Sequence, residues 1–68
     1  MVDLPYAPVK RVAMKNGAER VGDEATKRLT EVAEEYIGKV AQEAAKLAQH
    51  AGRKTLKPED IELAVRGL

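Results

Sequence analysis

Between Asp23 and Ala51 the chain carries no proline, and its apolar residues recur every three or four positions: Leu29, Val32, Ala33, Tyr36, Ile37, Val40, Ala44, Leu47, Ala48 and Ala51. That spacing places them on one helical face and predicts a single amphipathic helix over 23–51. At about 1.5 Å of rise per residue such a helix is roughly 40 Å long, whereas a globule of this size is only about 22–25 Å across. The short segments on either side cannot cover so long a stripe. A second chain is therefore needed, and the pattern predicts an obligate dimer.

The flanks read as two short helices. Pro5 and Pro8 suit a helix start, since neither can donate a backbone hydrogen bond, and the spacing of Val9, Val12 and Ala13 predicts a helix from Pro8 to Lys15. Asn16-Gly17 breaks that pattern, and Gly17 suits a left-handed C-terminal position. Residues 18–22 form an extended connector, with Gly22 or Asp23 as N-cap of the long helix and Asp23 and Glu24 at its positive end. Gly38 interrupts that helix and suggests close approach of another helix. Gly52 ends it. After the extended stretch 53–57, Pro58 opens a last helix in which Ile61, Ala64, Val65 and Leu68 share a face, with Leu63 off it. The expected fold class is all-α: short helix, long central helix, short helix.

Composition narrows this further. A chain of 68 residues supports one domain, and a single core of that size is marginal without help. There is no cysteine for disulfides or thiolate metal sites, and the one histidine has no partner for a structural zinc. Oligomerisation is the remaining source of stability. Eleven alanines and the lack of Phe and Trp favour closely packed helices over a β-sandwich. The start of the chain does not resemble a signal peptide and no apolar run approaches a membrane span, so an intracellular, soluble protein is expected. No nucleophile or acid–base constellation points to an enzyme, and no cofactor or small-molecule substrate is expected.

Net charge is only +1, but it is sorted along the chain. Segments 10–28 and 53–57 hold nine of the twelve basic residues and three acids (Glu19, Asp23 and Glu24). Residues 29–52 and 58–68 hold three bases and seven acids. Two cationic stretches on a nearly neutral chain are what binding to a phosphate backbone calls for.

The joints of this arrangement carry a resemblance. Leu4-Pro5, Ala7-Pro8-Val9, Gly17-Ala18-Glu19-Arg20-Val21, His50-Ala51-Gly52-Arg53-Lys54-Thr55 and Glu59-Asp60-Ile61-Glu62-Leu63-Ala64-Val65 resemble the histone fold, specifically the tail-less archaeal histones. The block from His50 to Thr55 followed by Glu59-Asp60-Ile61 is the specific part, and the similarity covers essentially the whole chain as one domain, 1–68. The resemblance implies a handshake dimer in which the two long helices cross and each chain's first loop lies beside its partner's second.

It also implies roles. Arg11 would project toward DNA from the first helix. Arg20 would reach a minor groove, held by Thr55 across the paired loops, and Lys54 would contact phosphate. Lys10 and Lys57 are further phosphate partners, each balanced against a merely solvating role. Gly22 stands where the family often has serine, leaving a backbone amide but no hydroxyl for phosphate. Arg53 would form an internal salt bridge with Asp60 rather than contact DNA. Leu47, His50, Asp60 and Leu63 would build a contact between dimers; read alone, His50 is a helix-end residue. Tyr36 belongs to core or interface. Glu31 with Glu62 and Lys15 with Gln49 do not supply the opposite charges that long stacked superhelices use, whereas Glu35 with Arg66 does.

The expected function is binding, bending, wrapping and compaction of double-stranded DNA, without sequence specificity, by a homodimer that assembles into tetramers and larger oligomers. The expected location is the chromosome or nucleoid within the cytoplasm, with histone paralogues as further partners and no membrane contact. The alternative of the same fold is one component of a transcription or regulatory complex that pairs with a different protein. A helical dimerisation module without a nucleic acid is the other rival.

Overall fold

The computed structural model describes residues 3–68; Met1 and Val2 lie outside it. It contains three helices, α1 (Tyr6–Lys15), α2 (Asp23–His50) and α3 (Pro58–Arg66), and no strand among the described residues. The all-helical, short–long–short order agrees with the sequence pattern. The chain packs as two units that divide within α2, one up to Glu35 and the other from Tyr36.

In the first unit α1 starts two residues earlier than the proline rule suggests, at Tyr6 with Pro5 as N-cap. Pro8 is thus the third helical residue. It is tolerated there because the first N–H groups of a helix have no partner within it. The turn closing α1 brings the N–H of Gly17 to the Met14 carbonyl at 3.3 Å and that of Ala18 to the Ala13 carbonyl at 3.2 Å. This paired geometry needs a left-handed residue, and Gly17 supplies it with φ of 115°.

Gly22 gives its carbonyl to the N–H of Thr26 at 2.9 Å, so it precedes α2 as the cap and Asp23 is the first helical residue. The buried residues of this half of α2 are Thr26 and Thr30, neither of which belongs to the apolar stripe. Each hydroxyl donates to the carbonyl four residues earlier: Thr26 to Gly22 at 2.9 Å, Thr30 to Thr26 at 2.8 Å. A threonine whose hydroxyl is satisfied within its own helix presents its methyl group outward and packs as a small apolar residue. Before α1, the backbone N–H groups of Asp3 and Leu4 both donate to the Glu34 carboxylate.

In the second unit α2 ends at His50, one residue short of the expected Ala51. The same turn recurs: Gly52, with φ of 73°, donates to the Gln49 carbonyl at 2.9 Å and Arg53 to that of Ala48 at 2.9 Å. Pro58 occupies the first position of α3, and Asp60 accepts the Lys57 N–H at 2.9 Å to cap it. Val40, Ala44 and Ala64 form the small core, with Leu47 and Ile61 packed against it. Alanine at both crossing faces lets the two helices approach closely. On α3 itself only Ala64 of the expected apolar face is fully buried; Val65 and Leu68 stay exposed, as does Leu63.

Candidate nucleic-acid interface

The first unit presents Lys10 and Arg11 on consecutive positions of α1, and Arg20 and Gly22 in the connector before α2. Arg11, Arg20 and Gly22 are exposed, while Lys10 is half-buried. Among the described residues, neither Arg11 nor Arg20 has an acidic partner within ion-pair distance. Lys10 differs. Its Nζ lies 3.3 Å from Oδ1 of Asp23, the first residue of α2. Arg28 meets Glu35 at 3.7 Å. Glu35, the one acid with a favourable stacking partner in the sequence reading, is thus already engaged by a neighbour on its own helix.

The second unit presents Lys54, Thr55 and Lys57 in the loop between Gly52 and Pro58, all exposed and, for both lysines, free of an acidic partner among the described residues. The loop is held by Arg53 and Asp60. Nη1 of Arg53 donates to Oδ2 of Asp60 at 2.8 Å and Nη2 donates to Oδ1 at 2.9 Å, a bidentate fork. Nη1 also reaches the Thr55 carbonyl at 3.3 Å, tying down the middle of the loop and leaving the Thr55 hydroxyl uncommitted. Asp60 is almost wholly buried and accepts the Lys57 N–H as well. These hydrogen bonds, that of Arg53 foremost, hold its carboxyl at about 2, below the ordinary 3.8. The same contact raises the Arg53 guanidinium above its usual value. Arg53 is therefore occupied in bracing the loop that carries Lys54 and Lys57.

Of the residues expected between dimers, Leu63 is 52% exposed and His50 is exposed at the end of α2, beside Lys46 and Gln49. Leu47 is half-buried against Val40, Ala44 and Ala64. Asp60 stands apart from these three, because three hydrogen bonds already occupy its two oxygens.

The larger apolar side chains gather at two grooves, one on each unit. On the first, Pro8, Val9, Val12, Ala13, Leu29 and Ala33 line a cavity of about 390 Å³. On the second, Tyr36, Ile37, Val40, Leu56, Ile61 and Val65 line one of about 410 Å³. Tyr36 and Ile37 are 51% and 55% exposed, so Tyr36 is not a core residue of the protomer. Gly38 has open space where a Cβ would sit. No group of acids and histidine able to hold a metal ion occurs among the described residues, and no described helix is long and apolar enough to cross a membrane.

Known proteins sharpen the interpretation of this arrangement. The chain is 52% identical over 66 residues to one subunit of the archaeal histone HAN1 of Thermococcus zilligii, covering 97% of this chain and 98% of that protein. It is 45% identical over 67 residues to probable archaeal histone 3 of Methanocaldococcus jannaschii, covering 98% of this chain and all of that one. The family described as histone-like transcription factor (CBF/NF-Y) and archaeal histone matches residues 2–65, reaching into all three helices and across both cationic loops. A three-helix chain with these joints and these relatives belongs to that family of non-enzymatic, DNA-binding histone-fold proteins.

Proposed function

We propose that the protein is a chromatin protein of the archaeal-histone kind, a single histone-fold domain over 1–68 that acts as a homodimer. The dimer binds double-stranded DNA without sequence specificity, bends it, and assembles side by side into tetramers and larger particles that wrap and compact it. Its place in the cell is the chromosome. The observation that carries the reading is a pairing of surfaces. Apolar side chains such as Ile37 stand half-exposed along α2, while Arg11, Arg20, Lys54 and Lys57 stand free of acidic partners among the described residues. The first surface calls for a second copy and the second for a polyanion.

In the proposed dimer the two α2 helices cross and cover each other's apolar faces. Each chain's connector 18–22 then meets its partner's loop 53–57, so that Arg20 enters a minor groove and the Thr55 hydroxyl orients it. Lys54, Lys57, Arg11 and the amide of Gly22 hold phosphates, and Lys10 adds a cation once released from Asp23. Arginines in inward-facing minor grooves plus backbone contacts bend DNA without reading bases. Leu47, His50 and Leu63 supply the contact between dimers, with Asp60 contributing its remaining acceptor capacity.

Two measurements test this. Sedimentation equilibrium gives twice the protomer mass, and nuclease digestion of saturated DNA gives protected lengths rising in regular steps as dimers are added. A monomer, or an intact dimer that leaves DNA unprotected at low salt, overturns the reading. One observation favours a second reading, pairing with a different histone-fold chain: the name of the Thermococcus zilligii relative describes one subunit of a larger histone. A chain that unfolds alone and folds only with another histone-fold protein would establish it.

A further inference from the structure

Among the described basic residues, those proposed to meet DNA fall into two classes. Arg11, Arg20, Lys54 and Lys57 have no carboxylate within ion-pair reach, whereas Lys10 reaches across from α1 to Asp23 at 3.3 Å. Asp23 is 99% exposed, and Lys10 is 40% exposed. Of the three acids in segment 10–28, Glu19 and Glu24 have no such cationic partner among the described residues. Asp23 is thus an acid placed in a basic stretch and set against one particular cation.

We propose that Asp23 is an affinity-setting residue, an internal stand-in for phosphate that holds Lys10 until DNA displaces it. The proposal rests on the DNA-binding reading above. An ammonium is a compact point charge with three donors and takes one oxygen anion much as another. A carboxylate so open to water holds it weakly, so a phosphodiester oxygen can take its place. The exchange nevertheless carries a cost that Arg11 and Arg20 do not bear. While the pair persists, Lys10 neutralises no phosphate and releases no counterion from the duplex, and after displacement the freed Asp23 carboxylate repels the DNA. The protein therefore binds less tightly, and with a shallower salt dependence, than its basic residues alone would dictate. A chromatin protein that must be removed for its DNA to be read gains reversibility from such a contact.

The test is a double-mutant cycle on the full-length protein: wild type, D23N, K10Q and the double variant, each titrated with mixed-sequence duplex DNA over a salt series. D23N should bind more tightly and steepen the plot of log K against log salt by up to about 0.9. Its advantage over wild type should then shrink about threefold between roughly 50 and 200 mM salt. K10Q should differ little from wild type, and the double variant should match K10Q. An unchanged slope for D23N overturns the proposal, as does an equal gain from D23N in the K10Q background, since Asp23 would then act by general repulsion. Should D23N fold poorly, D23S provides the same comparison. Wild-type protein that binds no duplex at low salt would sink the DNA reading itself, whereas normal wild-type binding with an inert D23N sinks only this inference.

Discussion

Arg53 and Asp60 face each other as a planar fork on a buried carboxylate, with both guanidinium nitrogens and the Lys57 N–H converging on two oxygens. The pair joins the end of one helix to the start of the next and fixes the loop from which Lys54 and Lys57 project. Because Arg53 stabilises the charged form, Asp60 titrates at about 2 in the folded chain, against 3.8 ordinarily.

The depressed value dictates the sign of a pH effect. A carboxyl that holds its proton less tightly when folded contributes stability that is fully present above the ordinary value and is lost as pH falls from 3.8 through about 2. Thermal unfolding of wild type and Asp60→Asn should therefore show a constant gap at neutral pH that narrows across that acid window. Arg53→Lys, which keeps the charge but cannot form the fork, should retain part of the gap. A gap that stays constant down to the lowest pH would show that Asp60 is not the titrating group.

Thr30 is wholly buried and donates to the Thr26 carbonyl at 2.8 Å. Replacing it with valine removes the hydroxyl but strands no partner, since that carbonyl keeps its helical N–H. Thr30→Val should therefore change stability by no more than about 1 kcal/mol, of either sign. Thr30→Leu inserts volume into a closely packed site and should destabilise by about 1–3 kcal/mol. Denaturant unfolding of both variants at one protein concentration checks the pair, and the order of the two is the decisive result.

How much of this is legible in the sequence alone depends on the kind of signal each residue gives. The helix ends at Gly17 and Gly52 and the start at Pro58 are readable because glycine and proline carry backbone preferences of their own. The Arg53–Asp60 pair comes from the family resemblance, since two charges seven residues apart across a loop specify no contact. Thr26 and Thr30 escape a count of apolar residues, which passes over threonine; two threonines four apart, in line with Ala33 and Ile37, are the available signal. Lys10 reads as a phosphate partner, and its engagement with Asp23 depends on how α1 packs on the first turn of α2, which no linear pattern encodes.

Arg20 and Arg28 provide a contrast in DNA binding. Arg20 has no acidic partner among the described residues, while Arg28 lies 3.7 Å from Glu35. Arg20→Ala should weaken binding on every duplex alike and reduce the salt slope by about 0.9 for each phosphate that is no longer neutralised. Arg28→Ala should change the slope less. Titrations on two unrelated sequences separate the outcomes, and a sequence-selective loss for Arg20→Ala would argue for base reading at that position.

Ile37 decides between a solitary protomer and a dimer. It is 55% exposed in the single chain, and an exposed site touching nothing tolerates substitution within about 0.5 kcal/mol. Buried against a second copy, each Ile37 side chain contributes about 1.5–3 kcal/mol, and symmetry removes two of them at once. Ile37→Glu would also place two carboxylates in an apolar contact, a penalty added to the forfeited burial. The expected result is dissociation, with unfolding that depends on protein concentration, whereas Gln42→Glu, an exposed polar position on the same helix, should leave both unchanged. Sedimentation velocity and thermal unfolding at several concentrations read out the difference, and an Ile37→Glu protein as stable as wild type at every dilution would rule out the shared apolar face.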